Sequence, residues 1–234
     1  MSPDRAHENQ EELDAETPST PQSIALTFFD PDPGLVFLLE DFKNAYTAYA
    51  RISDTKLPSF ESVKLTEGHP AGTFDAIVLA IRQGESSTAE ALDTARLSAL
   101  SAIAGRGTRL YAIVETDGAD PEAARDILAR LQRTAQTVNM LWGGALALAT
   151  GGLSAKFCGW PRMGTLRRPF SEAIDKLVGA TRMGCSIKRA QQLGGADVSA
   201  FDRDGAVVAK PPLPAPLWHL VDRASDTAPK RGGI

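Results

Sequence analysis

The chain has 234 residues, 43% of them hydrophobic and 23% charged, and this composition is typical of a soluble protein with one α/β domain. A net charge of −4 argues against nucleic-acid binding by the whole chain, and no apolar stretch reaches the roughly 18 residues of a membrane span. The two cysteines, Cys158 and Cys185, form no disulfide framework, and no group of His, Cys and carboxylates has metal-ligand spacing. Because the acidic N-terminus also differs from a signal peptide, the sequence predicts a cytoplasmic protein without a metal site.

Both ends of the chain are predicted to lie outside the folded domain. Residues 1–22 hold six carboxylates and almost no apolar side chain, so they cannot bury enough surface to offset the entropy of ordering. Residues 224–234 have a similar composition. We therefore predict disordered tails at both ends, a domain over 23–190, and a C-terminal extension over 191–223 that packs on the domain.

Short, continuous apolar runs predict strands that are covered on both faces, as in a parallel sheet. These runs are residues 24–29, 74–81, 110–114 and 145–150. A pair of glycines, Gly143 and Gly144, precedes the last run. They either let the backbone approach a ring or end a buried strand, and Trp142 beside them is expected in the core.

Helical patterns lie between these strands. A capping box at 87–90 predicts a helix that runs to about Ala104, and an Asp-Pro pair at 120–121 predicts a second helix start. A further helix follows Pro169. The stripes that support the last two helices are Ala124, Ile127, Leu128, Leu131, Ala135 and Val138, and Ile174, Leu177, Val178 and Thr181. Strands alternating with helices predict an α/β doubly wound parallel sheet with helices on both faces.

Motifs of two common enzyme classes are absent or incomplete. The sequence has neither a P-loop nor the glycine pattern of a dinucleotide-binding turn. Ser154 lacks the second glycine of a nucleophile elbow. A triad of Ser154, His219 and an aspartate is an alternative, but a histidine with a structural role is the more common case.

The order of segments resembles the flavodoxin-like NAD(P)H-dependent FMN reductases. The resemblance is carried by a strand and polar turn at 108–120, followed by a helix and by the Trp-Gly-Gly strand at 141–152, which closes in a second Gly-Gly pair. The segments at 161–173 and 210–219 also look like the distal helix and proline-rich close of larger members. The similarity spans residues 70–222.

This resemblance implies an oxidoreductase that transfers a hydride from NAD(P)H to FMN and passes the electrons to an acceptor. It implies a small-molecule redox partner, and it leaves a homodimer open. It also places two turns against the flavin ring, one after each of two neighbouring strands. The residues in these turns are Gly84, Glu85, Ser86 and Ser87, and then Thr116, Asp117 and Gly118.

The turn after the first strand departs from the family pattern. Members have a Ser/Thr-rich loop there that holds the FMN phosphate, whereas this chain has Asp-Pro-Asp-Pro-Gly at 30–34. Asp30 and Asp32 repel a phosphate, and the prolines remove N–H donors. This departure favours the alternative function, a flavodoxin-like binding or regulatory protein that has lost flavin.

The segment from Lys156 to Arg189 is strongly basic, with eight basic residues against two acidic ones. Arg167 and Arg168 stand before Pro169 at a predicted helix start, where two guanidinium groups and free N–H donors favour a phosphate. We expect them to bind the 2′-phosphate of NADPH, if the segment is not simply a solvated surface.

Overall fold

A computed structural model of the chain describes residues 19–30, 32–65, 72–83, 94–116, 120–150, 154, 167–195 and 206–210. In these stretches six strands form one sheet in the order β2-β1-β3-β4-β5-β6, and every neighbouring pair is parallel. The strands are β1 (Ser23–Phe28), β2 (Ser59–Lys64), β3 (Phe74–Gln83), β4 (Ala104–Thr116), β5 (Leu141–Leu148) and β6 (Ala206–Ala209). The helices are α1 (Pro33–Ile52), α2 (Thr94–Ala102), α3 (Arg125–Thr137) after a 3-10 turn (Pro121–Ala124), α4 (Arg168–Met183) and α5 (Ile187–Leu193).

The strand order confirms the predicted α/β doubly wound fold with flavodoxin-like topology. The chain goes from β1 to β2 on one side and then to β3 on the other, so the strand order reverses between β1 and β3. Helices α1, α4 and α5 cover one face of the sheet, while α2 and α3 cover the other. Within the described stretches, no helix has the length and apolar character that crossing a membrane requires.

Helix α1 is a feature that the sequence analysis did not predict. It begins because Asp32, in an extended conformation, accepts hydrogen bonds from two backbone N–H groups of the first turn, and Pro33 provides a fixed φ at the first position. One face of the helix packs on the sheet. The buried side chains of that face are Leu35, Leu38, Leu39, Phe42, Tyr46 and Ala50.

Two strands also escaped prediction, both at the edges of the sheet. Strand β2 is polar and mostly exposed, so it has no continuous apolar run. Strand β6 has only four residues and lies within the predicted C-terminal extension, where it pairs with β5. Residues 191–195 of the extension are the end of α5 and the turn after it, and residues 196–205 and 211–223 lie outside the described residues.

The predicted helices are found with altered bounds. The first of them ends at Ala102, because Ala104 already begins β4, and its predicted start at 87–90 lies outside the described residues. Asp120 accepts a hydrogen bond from the N–H of Glu122, as the predicted helix start requires, but the first turn is a 3-10 turn. Helix α4 begins one residue before Pro169, which occupies its first turn.

The Gly-Gly pair lies inside β5 rather than at its end. A Cβ on Gly143 would lie 2.4 Å from Cε1 of Tyr111, so the backbone passes directly against this side chain of the core, and an approach to a ligand ring stays a prediction. Gly144 has a φ of +96°, and the register between β4 and β5 shifts at this point. Trp142 is buried, as expected.

Residues 19–22, which the prediction assigned to the N-terminal tail, lie against the domain. The N–H of Gln22 donates to Asp75 Oδ2 at 2.8 Å, and its carbonyl accepts from the N–H of Ser59 at 2.8 Å. Pro21 is buried. This short segment therefore ties the start of β1 to both neighbouring strands, and the remainder of the predicted tail lies outside the described residues.

Candidate functional site

Polar side chains converge at the edge of the sheet where β1, β3, β4 and β5 end, which is called the carboxyl edge below. In open parallel sheets this edge, next to the reversal of strand order, is the usual place for a ligand. The residues that meet here are Asp32, Arg82, Glu115, Thr150 and Ser154, and this set is called the Arg82 cluster.

The centre of the cluster is an ion pair between two strands. Arg82 and Glu115 are partners in the parallel register of β3 and β4. Glu115 Oε2 accepts from Arg82 Nε at 3.1 Å and from Nη2 at 2.8 Å. The other oxygen of this fully buried carboxylate accepts from the hydroxyl of Thr150. The arginine thus keeps the charge of Glu115 compensated inside the sheet.

Asp32 links this pair to the first helix. Its Oδ1 accepts from the N–H groups of Gly34 and Leu35 at 2.7 and 3.2 Å. Its Oδ2 accepts from Arg82 Nη1 at 2.7 Å. The carboxylate of Asp32 therefore accepts hydrogen bonds from the N-terminal N–H groups of α1 and from the guanidinium of Arg82 at the same time.

This arrangement does not fit the phosphate that the family resemblance implies after the first strand. The N–H groups of Gly34 and Leu35, which a phosphate would use, are bound to Asp32, and Pro33 has no N–H to add. Two negative unit charges about 4 Å apart repel each other by about 4 kcal/mol at an effective dielectric constant near 20. A phosphate carries up to two such charges. Asp32 therefore puts a negative charge at the position where the resemblance implies the FMN phosphate.

Asp30 has a different role from Asp32. It is largely exposed and pairs with Arg96 of α2, whose Nη2 lies 3.0 Å from Oδ2. The guanidinium of Arg96 also stacks over the ring of Phe29, 5.6 Å from its centroid. Asp30 thus joins the end of β1 to a helix on the opposite face from α1.

The residues predicted to contact the flavin ring are described only in part. Thr116 is buried as the last residue of β4, immediately after Glu115. Gly84, Glu85, Ser86 and Ser87, and likewise Asp117 and Gly118, lie outside the described residues. His219 and Cys158 also lie outside them, while Cys185 is buried in the core.

The two arginines predicted to bind the phosphate of NADPH each face a carboxylate. Arg167 pairs with Asp41 of α1, and its guanidinium stacks on Phe37, 5.1 Å from the ring centroid. Arg168 pairs with Glu172 one turn along α4 at 2.7 Å, and both of these side chains are exposed. Asp41 stands nine residues after Asp32, which is roughly 13 Å along a helix. The structure therefore does not bring Arg167 to the Arg82 cluster, and nucleotide binding by this pair stays a prediction.

Arg82 and Glu115 stand at the ends of the strands that lead into the two expected flavin turns, but the sequence analysis did not identify them as partners. A usable signal is the pair of opposite charges at the ends of two otherwise apolar runs, since the carboxyl ends of parallel strands meet at one edge. Asp32 carried a stronger signal, because an aspartate before proline is a typical helix cap.

Comparison with protein-family models and with curated proteins finds no match to this chain.

Proposed function

We propose that the protein is a flavodoxin-like binding or regulatory protein that does not anchor FMN through its phosphate. The observation that carries this proposal is the position of Asp32, whose carboxylate satisfies the first turn of α1 and also binds Arg82. The fold keeps the ligand edge of a doubly wound sheet. The negative charge of Asp32, just after β1, favours a ligand without phosphate.

One further observation supports binding at the same edge. Gln83, the last residue of β3, has a buried amide oxygen that finds no hydrogen-bond partner among the described residues. A buried acceptor of this kind costs free energy unless a donor reaches it. A ligand that offers N–H or O–H donors and carries no phosphate would supply that donor.

Titration of FMN and riboflavin into the full chain tests the proposal, with flavin fluorescence as the measurement. These two flavins differ only in the phosphate, so the ratio of their dissociation constants isolates its contribution. We expect FMN to bind no more tightly than riboflavin. A large preference for FMN would overturn the proposal and would mean that another segment holds the phosphate.

A variant with its control makes the test specific. In D32S the hydroxyl can still cap α1, while the negative charge is removed, so the preference for FMN over riboflavin should rise at least about tenfold, or about 1.4 kcal/mol. D120S makes the same exchange at the cap of the 3-10 turn, where Asp120 accepts from Glu122, and should leave the preference unchanged. Equal changes in both variants would contradict the role given to Asp32.

The oxidoreductase that the resemblance implies is the second candidate. The observation in its favour is topological, because β1, β3 and β4, whose following turns would contact flavin, are neighbours in the sheet. FMN, when bound, would take a hydride from NAD(P)H and pass electrons to a small-molecule acceptor. For this function we expect the full chain to consume NAD(P)H faster than free FMN does at equal concentration.

The nucleotide part of this second candidate has its own variant. If Arg167 and Arg168 hold the 2′-phosphate, replacing both with alanine should weaken the binding of NADPH much more than the binding of NADH, which lacks that group. Equal effects on the two nucleotides would remove these arginines from the site. The cytoplasmic location, the redox partner and the homodimer stay predictions from the sequence.

A further inference from the structure

A second concave site lies at the opposite edge of the sheet, where the strands begin. This cleft, called the amino-edge cleft below, has a volume of about 660 Å³. That size lies within the range of small-molecule sites, roughly 300 to 1,000 Å³. Residues from the starts of β3 and β4 line it, together with the segment before β1 and the end of α4.

One wall of the cleft is a bulge at the beginning of β4. Phe74 pairs with Ala104, but Ala76 pairs with Arg109, so four residues of β4 stand against one residue of β3. Bulges of this kind redirect side chains and are common next to functional sites. Here the inserted residues, 105–108, carry the sequence Gly-Arg-Gly-Thr.

The shape of the bulge is fixed by its own residues. Thr108 Oγ1 accepts from the N–H of Gly105 at 2.7 Å and donates to the carbonyl of Phe74 at 2.5 Å. Gly107 has a φ of +82°, a conformation that favours glycine. A Cβ on Gly105 would lie 3.0 Å from Cβ of Thr73, so the loop also packs closely on its neighbour. The turn is therefore a built feature that holds Arg106 at its exposed tip.

The charge of the cleft is positive although the chain as a whole is acidic. Arg106 and Arg109 both line it, and Arg109 is 7% exposed. Asp75 is the carboxylate among the described lining residues, and it already accepts from Gln22 N, Ser23 N and Ser23 Oγ. The described lining residues therefore include two arginines and one carboxylate, so their formal charge is positive, and Arg106 is the exposed arginine of the two.

The carbonyl groups near the end of α4 do not explain why positively charged side chains lie in the cleft. The last carbonyls of this helix would attract a cation if they lacked donors. However, the N–H groups of Gly184 and Cys185 donate to the carbonyls of Thr181 and Ala180. The hydroxyl of Tyr111 donates to the carbonyl of Cys185 at 2.8 Å and lies 3.3 Å from that of Ala180. Arg106 is not needed as a donor for these carbonyls, and its side chain is exposed.

We propose that the amino-edge cleft binds a phosphorylated small molecule, with Arg106 as its principal contact. Guanidinium groups match phosphate oxygens with two parallel hydrogen bonds, and the exposed side chain of Arg106 is accessible to such a ligand. A lone phosphate would fill only a small part of 660 Å³, so the cleft also has room for an organic portion. This site is separate from the carboxyl edge and independent of the function proposed there.

Isothermal titration of the full chain with inorganic pyrophosphate, at constant ionic strength, tests this site. We expect saturable binding, and we expect R106Q to weaken it at least tenfold because one charge-assisted contact is lost. R125Q removes the same charge from an exposed arginine at the start of α3, which does not line the cleft, and it should bind as the unchanged chain does. Pyrophosphate carries no flavin ring, so the result does not depend on the flavin titrations.

Two outcomes would overturn the proposal. The first is the absence of saturable binding by the unchanged chain. The second is an equal loss in R106Q and R125Q, because this would show a general effect of net charge. Because Arg106 is exposed, R106Q should remain folded, and its thermal midpoint serves as the check.

Discussion

Arg82 and Glu115 stand side by side on neighbouring parallel strands, and the guanidinium of Arg82 donates twice to one oxygen of Glu115. The glutamate is fully buried, whereas the arginine side chain is 26% exposed. The charge of Glu115 therefore depends on Arg82 for most of its compensation, with one further hydrogen bond from Thr150. This ion pair therefore lies at the carboxyl edge and also contributes to the stability of the fold.

Replacing Arg82 with glutamine should destabilise the protein strongly. A buried carboxylate that loses its charged partner costs about 3–5 kcal/mol, and we expect the lower end because Arg82 is partly exposed. Urea unfolding of R82Q measures this cost. R168Q is the control, since the exposed pair of Arg168 with Glu172 should contribute less than about 1 kcal/mol. Comparable losses in the two variants would show that burial of Glu115 does not matter.

The central part of the fold could be predicted because its signal is local. Buried parallel strands are continuous apolar runs, and α3 and α4 keep a clear helical period. Strand β2 gave no such signal because it is mostly exposed, and Val63 is the buried one of its six residues. Helix α1 could have been predicted from its cap and its apolar period, but the Asp-Pro-Asp-Pro sequence before it was interpreted only as a loop.

The site was harder to predict because its contacts join distant parts of the chain. Asp32 and Arg82 are separated by 50 residues, and their pairing depends on which strands are neighbours. The sequence did show that Asp32 is unfavourable for a phosphate. It could not show that this carboxylate takes over the donors of the helix, since that depends on the exact start of α1.

Adding one methyl group at Gly143 should destabilise the sheet. The new Cβ would meet the ring of Tyr111, and this ring cannot easily move because it is fully buried and its hydroxyl is bound to Cys185. Overpacking of this kind costs about 1–3 kcal/mol. Thermal or urea unfolding of G143A measures it.

G179A is the matched control for that variant. Gly179 lies in α4, and a Cβ there would have no atom within 4 Å. Alanine in a helix is favoured over glycine by up to about 1 kcal/mol, so G179A should be neutral or more stable. A loss of stability in G179A equal to that of G143A would contradict the role of the Tyr111 ring.

Asp175 should make the stability of the folded state depend on pH, and one variant should remove this dependence. Its pKa is raised above the ordinary 3.8, first by desolvation and then by the nearby carboxylates of Asp41 and Glu172. The folded state therefore holds this proton more tightly than the unfolded state, and the ionised form costs stability once the pH exceeds the raised pKa. D175N should raise the thermal midpoint at pH 7. This gain should shrink as the pH falls through the raised pKa and vanish below 3.8.

D126N provides the comparison for that pH profile. Asp126 is an exposed acid in the first turn of α3, where a negative charge is favourable. Its replacement should therefore lower the thermal midpoint slightly at pH 7. A stabilisation of D175N that is constant from neutral to strongly acidic pH would show that its cause is not the ionised carboxylate.

We expect residues 1–18 to be dispensable for the stability of the fold and residues 19–22 to contribute to it. Removing residues 1–18 takes away an acidic, apolar-poor segment, and on its composition we expect the free energy of unfolding to change by less than about 0.5 kcal/mol. Removing residues 1–22 also takes away the buried Pro21 and both hydrogen bonds of the Gln22 backbone, to Asp75 and to Ser59. Each such bond contributes roughly 0.5–1.5 kcal/mol, so the longer deletion should cost about 2–3 kcal/mol in urea unfolding. A cost above 1 kcal/mol for the shorter deletion would contradict this division, and so would two deletions of equal stability.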